Sequence, residues 1–285
     1  MKKIIVLIKQ VPDTANVTAQ TMKEDGTVNR AALPAVFNPE DLNALEMALD
    51  IKDRLGADVT VISMGPPKAV EILKHSMYLG ADRAFLVSDK QFAGSDTLAT
   101  SYILSEAVRY LGEFDLYLAG RQAIDGDTAQ VGPQVAEKLG LNIISYIGKL
   151  VEAGDEGVVV EKDSDVQTEV IKVSFPLLMT VTSDANVPRY PNSFNMLKYF
   201  RSELESTIPA EHKAEYAQNG WVIPVLTFDD LNLDPDKCGL NGSPTQVHKI
   251  RSIVLTGGDL TLFENNEGGI MGLVKEIIKD YSGEN

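Results

Sequence analysis

Through residues 3–147, short apolar runs alternate with segments whose apolar residues recur at helical spacing, and this alternation admits few folds. Each run is a strand's length and each intervening segment a helix's length, the pattern of consecutive βαβ units around a parallel sheet. Lys3–Lys9 is the first expected strand. Asn38-Pro39-Glu40-Asp41 then combines a capping residue, a proline at the first helical position and two acids in the first turn, so a helix to about Arg54 is expected, stopped by Gly56. Asp58–Ser63 reads as the second strand, ended by Met64-Gly65-Pro66-Pro67, and Lys68–Leu79 as the next helix. Arg83–Val87 is a third strand, Gly94-Ser95-Asp96-Thr97 caps a helix ending at Gly112, and Phe114–Ala119 is a fourth strand. Thr128–Leu139 continues as helix and Asn142–Ile147 as strand.

From about Leu150 the pattern changes. Val158-Val159-Val160 and Glu169–Val173 flank the polar turn Lys162-Asp163-Ser164-Asp165, as antiparallel strands do, and Leu177–Thr182 reads as another buried strand. Beyond Pro188 the chain turns rich in Pro, Asn, Asp and Glu, with short helical segments at Ser193–Ser206 and Gly269–Tyr281. Tyr190, Phe194, Met196, Leu197, Tyr199, Phe200 and Trp221 are more large apolar groups than a free polar segment carries in water, which points to a partner surface, with a tail folded back on its own domain as the competing reading. The expected class is α/β: a doubly wound, mostly parallel sheet with an added antiparallel section (1–189) and an extended C-terminal arm (190–285).

Composition narrows the function. A net charge of −15 argues against a general role on nucleic acid or on an anionic membrane, both of which need a positive field. No apolar stretch nears the roughly 18 residues that cross a bilayer, so no membrane insertion is expected. Met1-Lys2-Lys3 and the run after it are ended by Lys9 with no small-residue cleavage site, unlike a signal peptide. The lone Cys238 excludes an internal disulfide framework and a cysteine-rich cluster, so a reducing cytoplasm is the expected location. His75, His212 and His248 lack ligand spacing, and no G-x-G-x-x-G, Walker A or H-E-x-x-H pattern occurs.

Four strand-end loops should meet at the carboxyl edge of the sheet: Gln10–Asp13, Ser63–Pro66, Gly94–Thr97 and Gly120–Gly132. In the last, helix-start amides and Arg121 suit a pyrophosphate, while Asp125, Asp127 or Gln130 suit ribose hydroxyls or a base. A solvated turn in which Asp127 or Thr128 merely caps the next helix is the competing reading. Asn38–Asp41 and Ser95–Thr97 read first as helix caps.

In order along the chain, Val6–Asp13, Asn38–Asp41, Ser63–Ala69, Gly94–Thr97 and Gly120–Gly132 resemble the nucleotide-binding segments of the β subunit of electron-transfer flavoprotein. Pro176–Thr180, Pro188-Arg189-Tyr190 and Gly242–Thr245 are also similar to that family, so the likeness spans nearly the whole chain. The resemblance implies a Rossmann-like domain whose tail wraps an FAD-carrying α subunit. Carried onto this sequence, it implies a cofactor site of Lys9, Val11, Asn38, Asp41, Ser63, Met64, Gly65, Pro66, Asp96, Thr97, Gly120, Arg121, Gln122, Ile124, Asp125, Gly126, Asp127, Thr128, Gln130 and Val131, with no metal. Mitochondrial-type members hold a structural AMP there. Electron-bifurcating members hold a second FAD that takes hydride from NADH and sends one electron to a low-potential acceptor, a ferredoxin or flavodoxin, and the other through the α-subunit FAD to an acyl-CoA-type or related flavin dehydrogenase.

The Arg121–Pro133 loop looks like the bifurcating version, with small residues where AMP-type loops carry bulkier ones, and the resemblance makes Arg121 a charge beside the reduced flavin. Val160–Glu169 only partly fits the family's acidic signature. Ser193, followed by Phe194, stands where mitochondrial-type members place a leucine anchor for dehydrogenases. The alternatives are a redox-silent, AMP-filled β subunit and, more distantly, a stand-alone nucleotide hydrolase or stress-protein-like domain, which would leave the aromatic tail nothing to wrap.

Overall fold

The computed structural model describes residues 1–13, 33–164, 166–245 and 261–282. His248 and Asp165 lie outside them. The elements run β1 (Lys3–Leu7), β2 (Gln10–Pro12), β3 (Ala35–Phe37), α1 (Pro39–Leu55), β4 (Asp58–Met64), α2 (Val70–Leu79), β5 (Arg83–Val87), α3 (Thr97–Leu111), β6 (Leu116–Gly120) and α4 (Val131–Leu139). They continue as β7 (Asn142–Ala153), β8 (Gly157–Asp163), β9 (Thr168–Ser174), β10 (Leu177–Val181), α5 (Ser193–Tyr199), β11 (Glu203–Leu204), α6 (Lys213–Asn219), β12 (Val222–Ile223), β13 (Val225–Leu226) and α7 (Glu267–Ser282).

Among the described residues nine strands form the main sheet, in the order β13-β5-β4-β1-β6-β10-β7-β8-β9. Every neighbouring pair from β13 to β7 is parallel, and β8 and β9 follow antiparallel. The alternation of side chains along β1 sorts the two layers. Ile4, Val6 and Ile8 pack with α1 and α2 on one face, through Leu45, Leu49 and Leu73. Ile5 and Leu7 pack with α3 and α4 on the other, through Ile103, Val135 and Ala136. Burying each such aliphatic side chain contributes about 1.5–3 kcal/mol. The expected doubly wound, mostly parallel sheet with an antiparallel addition is what forms.

The chain steps from β1 outward to β4 and β5, then returns to place β6 on the other side of β1. That reversal is the topological switch point, where the loops leaving β1 and β6 diverge and open a crevice.

Several boundaries differ from the sequence expectation. β10 inserts between β6 and β7, and β7 runs well past Ile147 to join the antiparallel section. The helix expected over Ser193–Ser206 stops at Tyr199, because Leu204 extends to pair with β12 and bury its side chain. Residues 190–245, expected as part of the 190–285 arm, add β13 to the sheet at β5 and send Tyr199, Leu204 and Ile223 into one core. Leu231, Leu233 and Cys238 enter the other. Trp221 also serves its own domain, its indole donating to the Lys198 carbonyl at 2.6 Å. Tyr190, Phe194, Leu197 and Phe200 stay exposed, as do Ile270, Ile277 and Ile278 on α7. Among the described residues no helix is long and apolar enough to cross a membrane.

Candidate functional site

A cleft of about 380 Å³ opens above the switch point. Its walls come from Leu7–Lys9 after β1, Met64 at the end of β4, Gly94–Thr97 before α3, Gly120–Gly132 between β6 and α4, and Asp41 on α1.

The segment Asn38–Asp41 shapes the loop that leaves β6. Asn38 stands at the N-cap of α1, yet its side chain makes no cap bond. Its Nδ2 donates to the Gln122 carbonyl at 2.9 Å and its Oδ1 accepts from the Ile124 amide at 3.1 Å. This corrects the expectation of a plain cap: the loop offers Asn38 a donor and an acceptor of its own, and the side chain turns there instead of to the first-turn amides. Glu40 accepts from the Gln122 amide at 2.8 Å and from Arg121 through Nη2 at 2.8 Å and Nε at 3.3 Å. Asp41 spans the switch point, accepting from the Lys9 amide at 2.8 Å and the Gly120 amide at 3.0 Å.

Burial pushes the Asp41 carboxyl up to about 7, against the opposing pull of its hydrogen bonds and of Lys9. The approach of α1 also explains glycine at 120. A Cβ there would overlap the Asp41 carboxylate and lie 2.7 Å from the Asp41 amide nitrogen.

Asp127 and Ala129 adopt left-handed φ of 49° and 52°, and the Asp127 amide returns to the Ala123 carbonyl at 2.9 Å. Left-handed residues cannot continue a helix, so α4 starts at Val131 and not at the expected Thr128, which leaves Thr128–Gln130 on the cleft. Gln130, at the N-cap of α4, makes no side-chain cap bond; its Oε1 accepts from Thr97 Oγ1 at 2.8 Å. Pro133 has no amide, so the start of α4 offers the cleft the amides of Val131 and Gly132, uncapped by any side chain among the described residues, a positive helix end suited to an anion.

The neighbouring helix contrasts with it. Asp96 Oδ1 caps α3 by accepting from Leu98 and Ala99, while Oδ2 accepts from the Thr245 amide at 3.0 Å and hydroxyl at 2.6 Å. Burial raises the Asp96 carboxyl, but these bonds outweigh it and hold the group below its ordinary range. Ser243 Oγ accepts from the Asp96 amide at 2.8 Å, so Gly239–Thr245 straps the outside of this wall. Lys9 is paired with Asp125, its Nζ 2.8 Å from each carboxylate oxygen.

Residues 25–213 match the electron transfer flavoprotein domain. The chain belongs to the electron transfer flavoprotein family. It is 42% identical over 244 residues to the electron transfer flavoprotein subunit beta of Thermoanaerobacterium thermosaccharolyticum, covering 86% of this chain and 85% of the relative. It is 39% identical over 279 residues to the caffeyl-CoA reductase-Etf complex subunit CarD of Acetobacterium woodii, with 98% of each chain covered. The acryloyl-CoA reductase electron transfer subunit gamma of Anaerotignum propionicum is 39% identical over 286 residues, covering 98% of this chain and 99% of that one. These likenesses put the chain among the β subunits of electron transfer flavoproteins.

In this electron transfer flavoprotein chain, Lys9, Asp41, Met64, Asp96, Thr97, Gly120, Arg121, Gln122, Asp125, Gly126, Asp127, Thr128, Gln130 and Val131 come together on the cleft. Asn38 and Ile124 stand behind it, bonded to each other. Val11 is buried in the β2–β3 hairpin, opposite Val36. Ser63 is fully buried in β4, and Gly65 and Pro66 lead away toward α2. Sequence reasoning missed Glu40 as the partner of Arg121, and missed the apolar lining of Leu7, Phe92, Leu104 and Ala119. For Glu40 the available signal was two acids in one first turn, more than the helix end needs.

Proposed function

We propose that this β subunit binds an FAD in the switch-point cleft, that this flavin takes hydride from NADH, and that the chain works in a flavin-based electron-bifurcating heterodimer with an α subunit. The observation that carries the nucleotide reading is the uncapped start of α4, facing a cleft of about 380 Å³, near the lower end of the roughly 300–1,000 Å³ of small-molecule sites. Gly126 has open space where a Cβ would project, so the loop offers backbone to a ligand. These features fit the phosphates and one nucleoside of FAD.

Each group then has a task. The α4 amides and the Nη1 edge of Arg121, left over from Glu40, neutralise phosphate. Asp125 and Asp127 accept from ribose hydroxyls, and Leu7, Phe92 and Leu104 exclude water from a ring. Bound FAD itself supplies hydride acceptance and single-electron release. The two relatives named for caffeyl-CoA reductase and acryloyl-CoA reductase support an electron-transfer role beside a reductase; on the bifurcating reading that partner is a flavin dehydrogenase and the second acceptor a low-potential ferredoxin or flavodoxin. The exposed apolar faces of α5 and α7 support an arm and surface for protein partners, in a complex whose proposed location is the cytoplasm.

A second reading, a structural AMP in the same place, is favoured by the enclosed volume, which suits a mononucleotide. Co-purifying the chain with its α subunit and counting nucleotides decides between them. Two FAD per heterodimer and rapid bleaching by NADH are expected; one FAD with one AMP overturns bifurcation.

A further inference from the structure

Tyr146 lies outside the expected site, in a conformation that bulky residues rarely hold. Its φ is +64° in the middle of β7, where Ile144 pairs with Met179 and Ile147 with Val181, so two residues oppose the single Thr180. The bulge is built in from below. Thr180 is buried and its Oγ1 accepts the Tyr146 amide at 3.2 Å. Its methyl leaves no room for a Cβ on Gly132, in the first turn of α4, where the gap would be 2.9 Å. One threonine thus joins the bulge to the helix end that faces the cleft.

The bulge turns the Tyr146 ring to the Arg121 guanidinium, whose Cζ is 5.7 Å from the ring centroid. Glu40 holds the Nε and Nη2 edge of the same guanidinium. Among the described residues Nη1 has no protein acceptor. An arginine fixed along one edge by a buried carboxylate and against an aromatic ring has little freedom left, and its remaining edge is aimed.

We propose that Tyr146 is a positioning residue of the nucleotide site, fixing Arg121 so that its Nη1 edge meets a ligand phosphate. This rests on the nucleotide reading above, and the test separates the two. The heterodimer, freed of its β-site nucleotide, is titrated with AMP and with adenosine by equilibrium dialysis. The ratio of the two affinities isolates the phosphate from the nucleoside. Tyr146→Ala should lower the AMP-to-adenosine ratio about two- to five-fold, the worth of an exposed cation–π contact, with adenosine affinity unchanged. Tyr146→Phe keeps the ring and should restore the ratio.

Tyr146→Gly guards against misfolding, since glycine accepts the left-handed φ, and it should lower the ratio as alanine does. An unchanged ratio, or equal losses of AMP and adenosine affinity, overturns the positioning role. So does a variant that weakens only association with the α subunit, which would make Tyr146 an interface residue. A wild-type heterodimer that binds neither probe overturns the nucleotide reading and this inference with it.

Discussion

Asp41 shows how one side chain can set both the shape and the pH response of a site. Its two oxygens accept amides from the ends of β1 and β6, the strands that flank the switch point. An asparagine would present a donor to one of those donors, so Asp41→Asn should cost about 1–3 kcal/mol in urea unfolding at pH 5. The pH dependence has a definite sign. The folded carboxyl titrates at about 7 against an ordinary 3.8, so between these values the folded state holds more proton than the unfolded one. This contribution to stability is full below about pH 4 and is lost as pH rises to 7. Wild type should therefore lose stability across that window more steeply than Asp41→Asn; parallel curves would show that Asp41 does not titrate there. Gly120→Ala tests the same contact sterically, and by forcing α1 away from β6 should cost about 1–3 kcal/mol in the same assay.

At the scale of elements, the start of α1 acts as a template for the loop after β6, and this separates two meanings of one motif. If Asn38 were only a cap, Asp or Ser would replace it. Because it both donates to Gln122 and accepts at Ile124, Asn38→Asp, which loses the donor, and Asn38→Ser, which is too short to reach both, should each lose about 1–2 kcal/mol in thermal unfolding, and Asn38→Ser should also speed hydrogen exchange at the Ile124 amide. Full stability retained in Asn38→Asp would restore the cap reading.

The sequence made the helices and central strands legible because their apolar periods span whole turns and pleats: Pro39 and Gly56 bracket α1, and Asp96 and Gly112 bracket α3. It did not show β13, two residues long, or the insertion of β10 beside β6, since neither carries a local signal and pairing distant in sequence decides both. Within the site, glycines and short polar residues marked the loops. Which polar group meets protein and which meets ligand was hidden, because Asn38, Glu40 and Asp96 find their partners only in three dimensions.

Over the whole molecule, the chain divides by packing and not by composition. The described residues through 245 build on the sheet, whereas α7 exposes Ile270, Ile277 and Ile278. Ile270→Glu with Ile277→Glu should leave the melting temperature within about 2 °C, as surface substitutions do, yet reduce recovery of the α subunit on co-purification. Undiminished recovery would remove α7 from the partner surface. The strap of Gly239–Thr245 over Asp96 has a consequence in time. A ribosome releases the ends of β1, β4 and β6 long before it releases Thr245, so in a growing polypeptide Asp96 and the start of α3 lack their outer bonds until Gly239–Thr245 has emerged. On the function proposed above, firm loading of the nucleotide then waits for chains extended at least that far.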